Sequence, residues 1–521
     1  MTDQLPDPAA PTGRRTARLV FVGLAVTLVI ALAGGAFAVY RMLDGGGAQP
    51  HDVLPDSVIG YARIDVDPSA SQKIAALRLI RKFPDLAKEI GIKSADQDVR
   101  KLIFDGILDS TECDLAYDED IEPWIGSRLG IGLDKDGKTP LVAIQISDED
   151  KARKGLDALF MCGGDERPGV AFLDGYAVVA EKQVVAESAV KAARTSPLSK
   201  DKNFVEDFAD LGDQGFASAW GDAQGALDIP GALDGLGGGF AEQFTQGFEQ
   251  GGGQLDDLST WLTDARSGAL TLRAGSRSLE VVGLLHHEGK REPVKPLPIA
   301  SLPDSTIAAF SGSGGGASVG KQWNSLVSSL EASGAVGGAD IAAFEEQSGF
   351  ALPEDLETLF GDTLTLALGS ANLDTIPTLG GPDDVAGLDI GLVMESDPAK
   401  AMDLAGRLVS LVEQIGVPLA VSPTDRGAVI ASNEQAAADL GTAGDLGDTT
   451  AFKDVIPETD QATIIGFVDI GQILDALSAA NPPEEIARQI DQAESLSAFG
   501  FSLRRPSDDV QQLSIRLAFT K

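Results

Sequence analysis

Three kinds of residue in this chain have types and spacings that could do chemistry. Gly315–Lys321 reads GGASVGK. That is the G-x-x-x-x-G-K spacing in which backbone N–H groups cradle phosphates and the lysine reaches them. The next residue is Gln322, however, where the pattern needs a magnesium-binding hydroxyl, and the matching turn of the first half, 65–73, has no glycine. The stretch reads as a glycine-rich turn between a strand and a helix. Of the three histidines, His51 lies in a tether, while His286 and His287 are neighbours at a strand end and face opposite sides. No G-x-S-x-G elbow accompanies them, so a Ser-His-Asp hydrolase has no foundation.

Carboxylates are abundant, and a pair at glycosidase spacing would hydrolyse sugars. Sugar clefts are rich in aromatics, and this chain is 6% aromatic with four tryptophans. Trp124 and Trp220 match Leu359 and Phe467 in an internal repeat, an exchange typical of core positions. Asp134-Lys135-Asp136-Gly137 opens like a calcium loop without the later ligands, and reads as a hairpin turn. Asp222 and Asp469 recur at strand-to-helix steps, where capping explains them. These readings predict no catalytic residue, no metal and no cofactor, hence no enzyme. A carboxylate-dependent envelope enzyme is the third-ranked reading.

Two further sets remain. Cys113 and Cys162 are the only cysteines, a candidate disulfide in an oxidising compartment. Leu233, Leu236, Phe240, Phe244 and Phe248 are spaced by three and four, an apolar stripe on one helical face. Gly235, Gly237, Gly238, Gly239 and Gly247 interrupt it, and glycine costs a helix about 1 kcal/mol per residue. The stripe is either a poor helix over its own sheet or a flap for a lipid or peptide groove or the membrane.

The elements that position these residues start with Leu19–Tyr40, a stretch with no charge and, before its closing Tyr40, one hydroxyl, Thr27. As a helix of about 33 Å it spans a bilayer core of about 30 Å. Arg14, Arg15 and Arg18 precede it and Arg41 follows, which puts the N-terminus in the cytoplasm and the rest outside. The apolar run exceeds a cleavable h-region, so it reads as a single-pass signal anchor. The organisation expected is a disordered cytoplasmic tail (1–18), the transmembrane helix (19–41), a tether (42–52), an extracytoplasmic copy one (53–288), a linker (289–300) and copy two (301–521). The net charge of −38 repels nucleic acid and anionic head groups. The partners left are the membrane through Leu19–Tyr40 and an envelope protein or lipid.

The two copies show as ordered matches. Leu54–Ile59 (LPDSVI) recurs as Leu302–Ile307 (LPDSTI), and Asp118–Leu133 as Pro353–Leu368. Tyr176–Ala180 (YAVVA) recurs as Gly427–Ala431 (GAVIA). Leu279, Val281, Gly283 and Leu285 alternate like Leu513, Ile515, Leu517 and Phe519. Each copy reads β-α-β-β-α-β-β-α-β-α-β-β, with hairpin turns such as Asp174-Gly175. The fold expected is α+β: two tandem, largely antiparallel sheets, each with helices on one face, behind one transmembrane helix.

A membrane helix, a Gly/Pro tether and then the start LPDSVIGY at Leu54–Tyr61 resemble the bacterial membrane-anchored proteins grouped as domain of unknown function 3352. The resemblance covers the ectodomain. It implies a cell-envelope location and lends no catalytic residue. The function expected is a non-catalytic binding or scaffolding ectodomain of the envelope, with a carrier or sensor of an apolar ligand held between the repeats as the alternative.

Overall fold

The computed structural model describes residues 48–65, 98, 100–101, 104–105, 108, 114–135, 139–162, 167–212, 214–227, 264–289, 294–333, 338–373, 386–414, 416–480 and 482–520. The chain divides into two compact units, Met1–Thr271 and Leu272–Lys521.

Unit one holds β1 (Val58–Asp65), β2 (Ile125–Asp134), β3 (Pro140–Ile146), α1 (Glu149–Cys162), β4 (Gly169–Leu173), β5 (Tyr176–Ala180), α2 (Gln183–Ala193), α3 (Lys202–Leu211), β6 (Ala217–Asp222) and α4 (Ala223–Leu227). Its strand order is β4-β5-β3-β2-β1-β6. β7 (Ala265–Ala274) crosses the boundary between the units. The expected Asp174-Gly175 turn joins β4 to β5, with φ of 46° and 80°, the left-handed pair a two-residue hairpin demands.

Unit two holds β8 (Ser278–His287), β9 (Thr306–Ser313), α5 (Gly315–Ser333), α6 (Gly338–Ser348), α7 (Glu354–Phe360), β10 (Thr363–Gly369), β11 (Ile390–Glu395), α8 (Pro398–Glu413), β12 (Ala420–Thr424), β13 (Gly427–Ala431), α9 (Glu434–Leu440), α10 (Thr450–Val455), β14 (Ala462–Val468), α11 (Ile470–Ala479), α12 (Glu484–Ala493), β15 (Leu496–Arg504) and β16 (Val510–Phe519). Its strand order is β12-β13-β11-β10-β9-β14-β15-β16-β8, so the first six strands repeat the order of unit one. The strand pairs with a described register, thirteen in all, are antiparallel.

The α+β class and the large antiparallel sheet are as the sequence predicts. The helices, however, cover both faces. Met394 packs with Ala401 and Ala405 of α8, while its neighbour Val393 packs with Ala436 and Ala437 of α9. Adjacent strand residues point to opposite faces, so α8 and α9 lie on opposite sides. The signal was present in YAVVA and GAVIA, where every position of β5 and β13 is buried. A strand apolar at every position needs cover on both sides.

The joint also differs from the expected linker at 289–300. β8, the last strand of copy one, is bonded to β16 over nine residue pairs from Ser278↔Ala518 to His286↔Val510. That ladder ties it to unit two. Leu297 and Ile299, near the linker's end, are buried against Phe452, Val455 and Phe467.

Candidate functional site

In unit one the described residues nearest the expected anchor form part of the packed fold. Expected as tether, 49–52 form a tight turn closed by reciprocal bonds between Gln49 and Asp52, and Pro50 and His51 are buried. On β2, Arg128, Gly130 and Gly132 share one face. A Cβ on Gly130 would overlap Pro50, and one on Gly132 would crowd Val58 and Leu54. Glycine therefore lets the segment lie flat on the strand.

Buried polar groups pin it there. Tyr176 donates to the Ala48 carbonyl at 2.9 Å, and Arg63 donates to Gln49 Oε1 at 2.7 Å, to Ser218 at 3.1 Å and to the Gly215 carbonyl at 3.1 Å. His51 Nδ1 lies 3.3 Å from the Tyr61 hydroxyl, and its ring packs on Tyr61 and Phe204. Burial brings His51 down to about 4 against the opposing pull of Asp52, with Arg63 adding to the fall, and burial holds Tyr61 well above the ordinary phenol value. Arg128 and Asp65 form a buried ion pair at 3.0 Å. The bonds made here to Ala48 and Gln49 fix backbone and side chains of the segment, which makes the cluster a clamp.

A cleft of about 300 Å³ opens beside it, where Ser147, Asp148 and Glu149 meet the Asp174-Gly175 turn, Tyr176 and Arg194. Asp148 caps α1 by accepting from the Lys151 N–H at 2.9 Å, as its Ser-Asp sequence predicts. Asp397 caps α8 in the same way.

The most unusual surface is in unit two. Leu366 of β10 stands directly opposite Phe310 of β9, and Phe310 opposite Gly466 of β14. The row continues through Phe501, Ile515 and Val281. The row on one side runs Leu364, Gly312, Ile464, Leu503, Leu513, Gly283, and the row on the other Leu368, Ala308, Val468, Phe499, Leu517, Leu279. Over six strands and three rows, none of these side chains has a polar atom. Phe310 is 45% and Leu366 50% exposed. On the other face of the same strands, Ser311 bonds Thr365 at 2.7 Å and Thr363 bonds Glu395 at 2.7 Å. Small residues there, such as Ala309, Ala367 and Ala498, admit Phe452 and Ile456. The face is open around Phe310 and Leu366, while at its margins Leu364 packs with Met394 under α8 and Leu503 is buried. α11 runs beside β15 and β9, and no residue of α11 or α12 is buried.

The usable signal of this face in the sequence was size: Phe499 and Phe501 alternate with Ala498, Gly500 and Ser502.

The other expected residues fall as follows. GGASVGK forms the first turns of α5, not a loop. Cβ atoms on Gly316 and Gly320 would strike the Glu357 carbonyl and carboxylate of α7, so these glycines let two helices approach. His286 and His287 are both buried on β8. Trp124 and Trp220 are core, donating to the Asp120 carbonyl and to Asp207, each at 2.6 Å. Asp222 accepts from Gly225 N–H at 3.1 Å and Asp469 from Gln472 N–H at 3.0 Å, so both cap helices. Cys162 is disulfide-bonded. Cys113, the stripe Leu233, Leu236, Phe240, Phe244 and Phe248, and the span Leu19–Tyr40 lie outside the described residues. Among the described residues no helix is long and apolar enough to cross a membrane, and no cluster of three or more His, Cys, Asp or Glu has the arrangement of a metal site.

No protein family matches the chain, and no curated protein does. Among solved structures the chain is similar to crystal form I of TP0453, at 9% identity and a TM-score of 0.23 over 47% of this chain and 82% of that one. A likeness of this size carries no argument.

Proposed function

We propose that the chain is a membrane-anchored, extracytoplasmic, non-catalytic binding protein, whose unit two presents the sheet face around Phe310 and Leu366 to an apolar ligand. The observation that carries this reading is the three-row face itself, which has no hydrogen-bonding side chain and has two large side chains about half exposed. Contiguous apolar surface of this kind on a soluble domain marks an interaction site. Leu19–Tyr40 as signal anchor, the acidic ectodomain and the resemblance to domain of unknown function 3352 belong to the same reading.

The test is titration of the full chain with a solvatochromic apolar dye. Binding that weakens in Leu366→Asn, with the fold intact by circular dichroism, supports the reading. Dye binding identical in the variant and the parent removes this face as the site.

A further inference from the structure

We infer that the occupant of this face is the hydrocarbon chain of a single lipid, laid across the strands along the Leu366–Phe310–Phe501 row. This rests on the reading of the chain as an anchored apolar-binding protein and names its ligand class.

Three observations select the lipid. The first is polarity. The strands that form the face are already paired on both sides from β10 to β16, so their backbone is satisfied. Their outward side chains offer no donor or acceptor. An extended peptide laid there would bury its own N–H and C=O groups without partners, at about 1–3 kcal/mol each. Hydrocarbon brings no such groups.

The second is length. The row from Leu366 to Val281 crosses six strands. At about 4.8 Å between strands it is about 24 Å long. One leaflet of a bilayer core is about 15 Å deep, half of about 30 Å, so an extended acyl tail fits the row whole. The third is charge. Two copies of a chain carrying −38 repel one another, and so do this chain and an anionic bilayer surface. Face-to-face dimers and flat adsorption are both opposed, whereas one lipid with its head group left in water meets neither penalty.

Tyr176 holds Ala48 on unit one, and Ala48 is seven residues beyond Arg41. A chain of that length reaches at most about 25 Å. Unit one of the anchored protein is therefore held within about that distance of the bilayer.

The experiment uses the full chain in vesicles that contain a phospholipid with a diazirine on its acyl tail, irradiated and mapped by mass spectrometry. The expected result is saturation at one adduct per chain, on peptides of β9, β10 and β15. Leu366→Asn should lower that adduct about tenfold, or 1.4 kcal/mol. Leu411→Asn, which changes an exposed leucine of α8 outside the three rows, should leave it unchanged. Adducts confined to Leu19–Tyr40 overturn the inference, as do adducts on the face that keep rising with lipid, the mark of bilayer adsorption. A face cross-linked to a second copy or to another protein in place of lipid also overturns it, yet leaves apolar binding standing. Failure of the binding reading itself shows separately, as dye binding indifferent to Leu366→Asn.

Discussion

Pro50 lies directly on Gly130: the ring of the first residue occupies the space a side chain on the second would need. One residue pair thus joins the segment that follows the expected anchor to the second strand of the sheet. Gln49, His51 and Leu54 extend the same contact, and Tyr61, Arg63 and Tyr176 hold it from the sheet side.

Gly130→Val tests this contact. Overpacking a filled site costs about 1–3 kcal/mol. For a unit of this size, each kcal/mol lowers the melting temperature by about 2–4 °C. Calorimetry of the ectodomain should show a loss of several degrees. Limited proteolysis should also cut near Gln49 faster than in the parent. A valine that leaves both unchanged means Pro50 does not rest on the strand.

His51 gives unit one an acid-sensitive stability. Its folded value of about 4 lies below the ordinary 6.5, because burial disfavours the charged ring. The folded state therefore holds that proton less tightly than the unfolded state. The associated stability is complete above about pH 6.5 and is lost as the pH falls towards 4, at most roughly 3 kcal/mol at 1.36 kcal/mol per unit. Asp52 and Arg63 are the charged groups facing the ring, and their effects oppose each other. Urea unfolding at pH 7 and pH 4.5 should show the drop, and His51→Gln should remove most of it. An equal drop in both proteins assigns the acid sensitivity elsewhere.

Cys162 ends α1, and its partner is proposed to be Cys113, the other cysteine of the chain. A bridge closing a loop of about 50 residues stabilises by up to about 4 kcal/mol in the chain-entropy account. Maleimide labelling under denaturing, non-reducing conditions should find no free thiol in the exported protein, and reduction should lower the unfolding midpoint. Two labels per chain without reductant would refute the bridge.

Much of this architecture was legible before any coordinates. Hairpin chemistry at Asp174-Gly175, caps at Asp148, Asp222, Asp397 and Asp469, and the ordered matches between copies depend on local sequence, and local physics decides them. Two things were not legible. Whether a strand's apolar phase faces core or solvent depends on what packs against it. Phe310 and Ala309 could each have been the inner residue until the small side chains of β9, β10 and β15 were seen against Phe452 and Ile456. The clamp on Pro50 was hidden for a related reason: a Gly-Pro-rich segment has a linker's composition, and only Gly130 and Gly132 across the sheet give it a seat.

The boundary between the halves yields the last prediction. The sequence places a joint after Glu288, yet β8 is bonded through its length to β16, and Val281 stands opposite Ile515, the residue that matches it in the repeat. A fragment of residues 301–521 lacks β8, so the backbone of β16 becomes an open edge nine residues long. The side chains flanking that edge are Leu513, Ile515 and Leu517. An exposed, apolar edge strand templates further strands. A fragment of residues 272–521 keeps β8 on β16 and moves the open edge to the far side of β8, where most of β7 is cut away. Expressed side by side, 272–521 should melt at a markedly higher temperature than 301–521, because it retains the whole β8–β16 ladder. Arg516 makes the comparison sharper, because it pairs with Glu280 of β8 at 2.6 Å and loses that partner in the shorter fragment. If 301–521 melts as high as 272–521, the ladder between β8 and β16 contributes little, and the sequence joint is the true domain boundary.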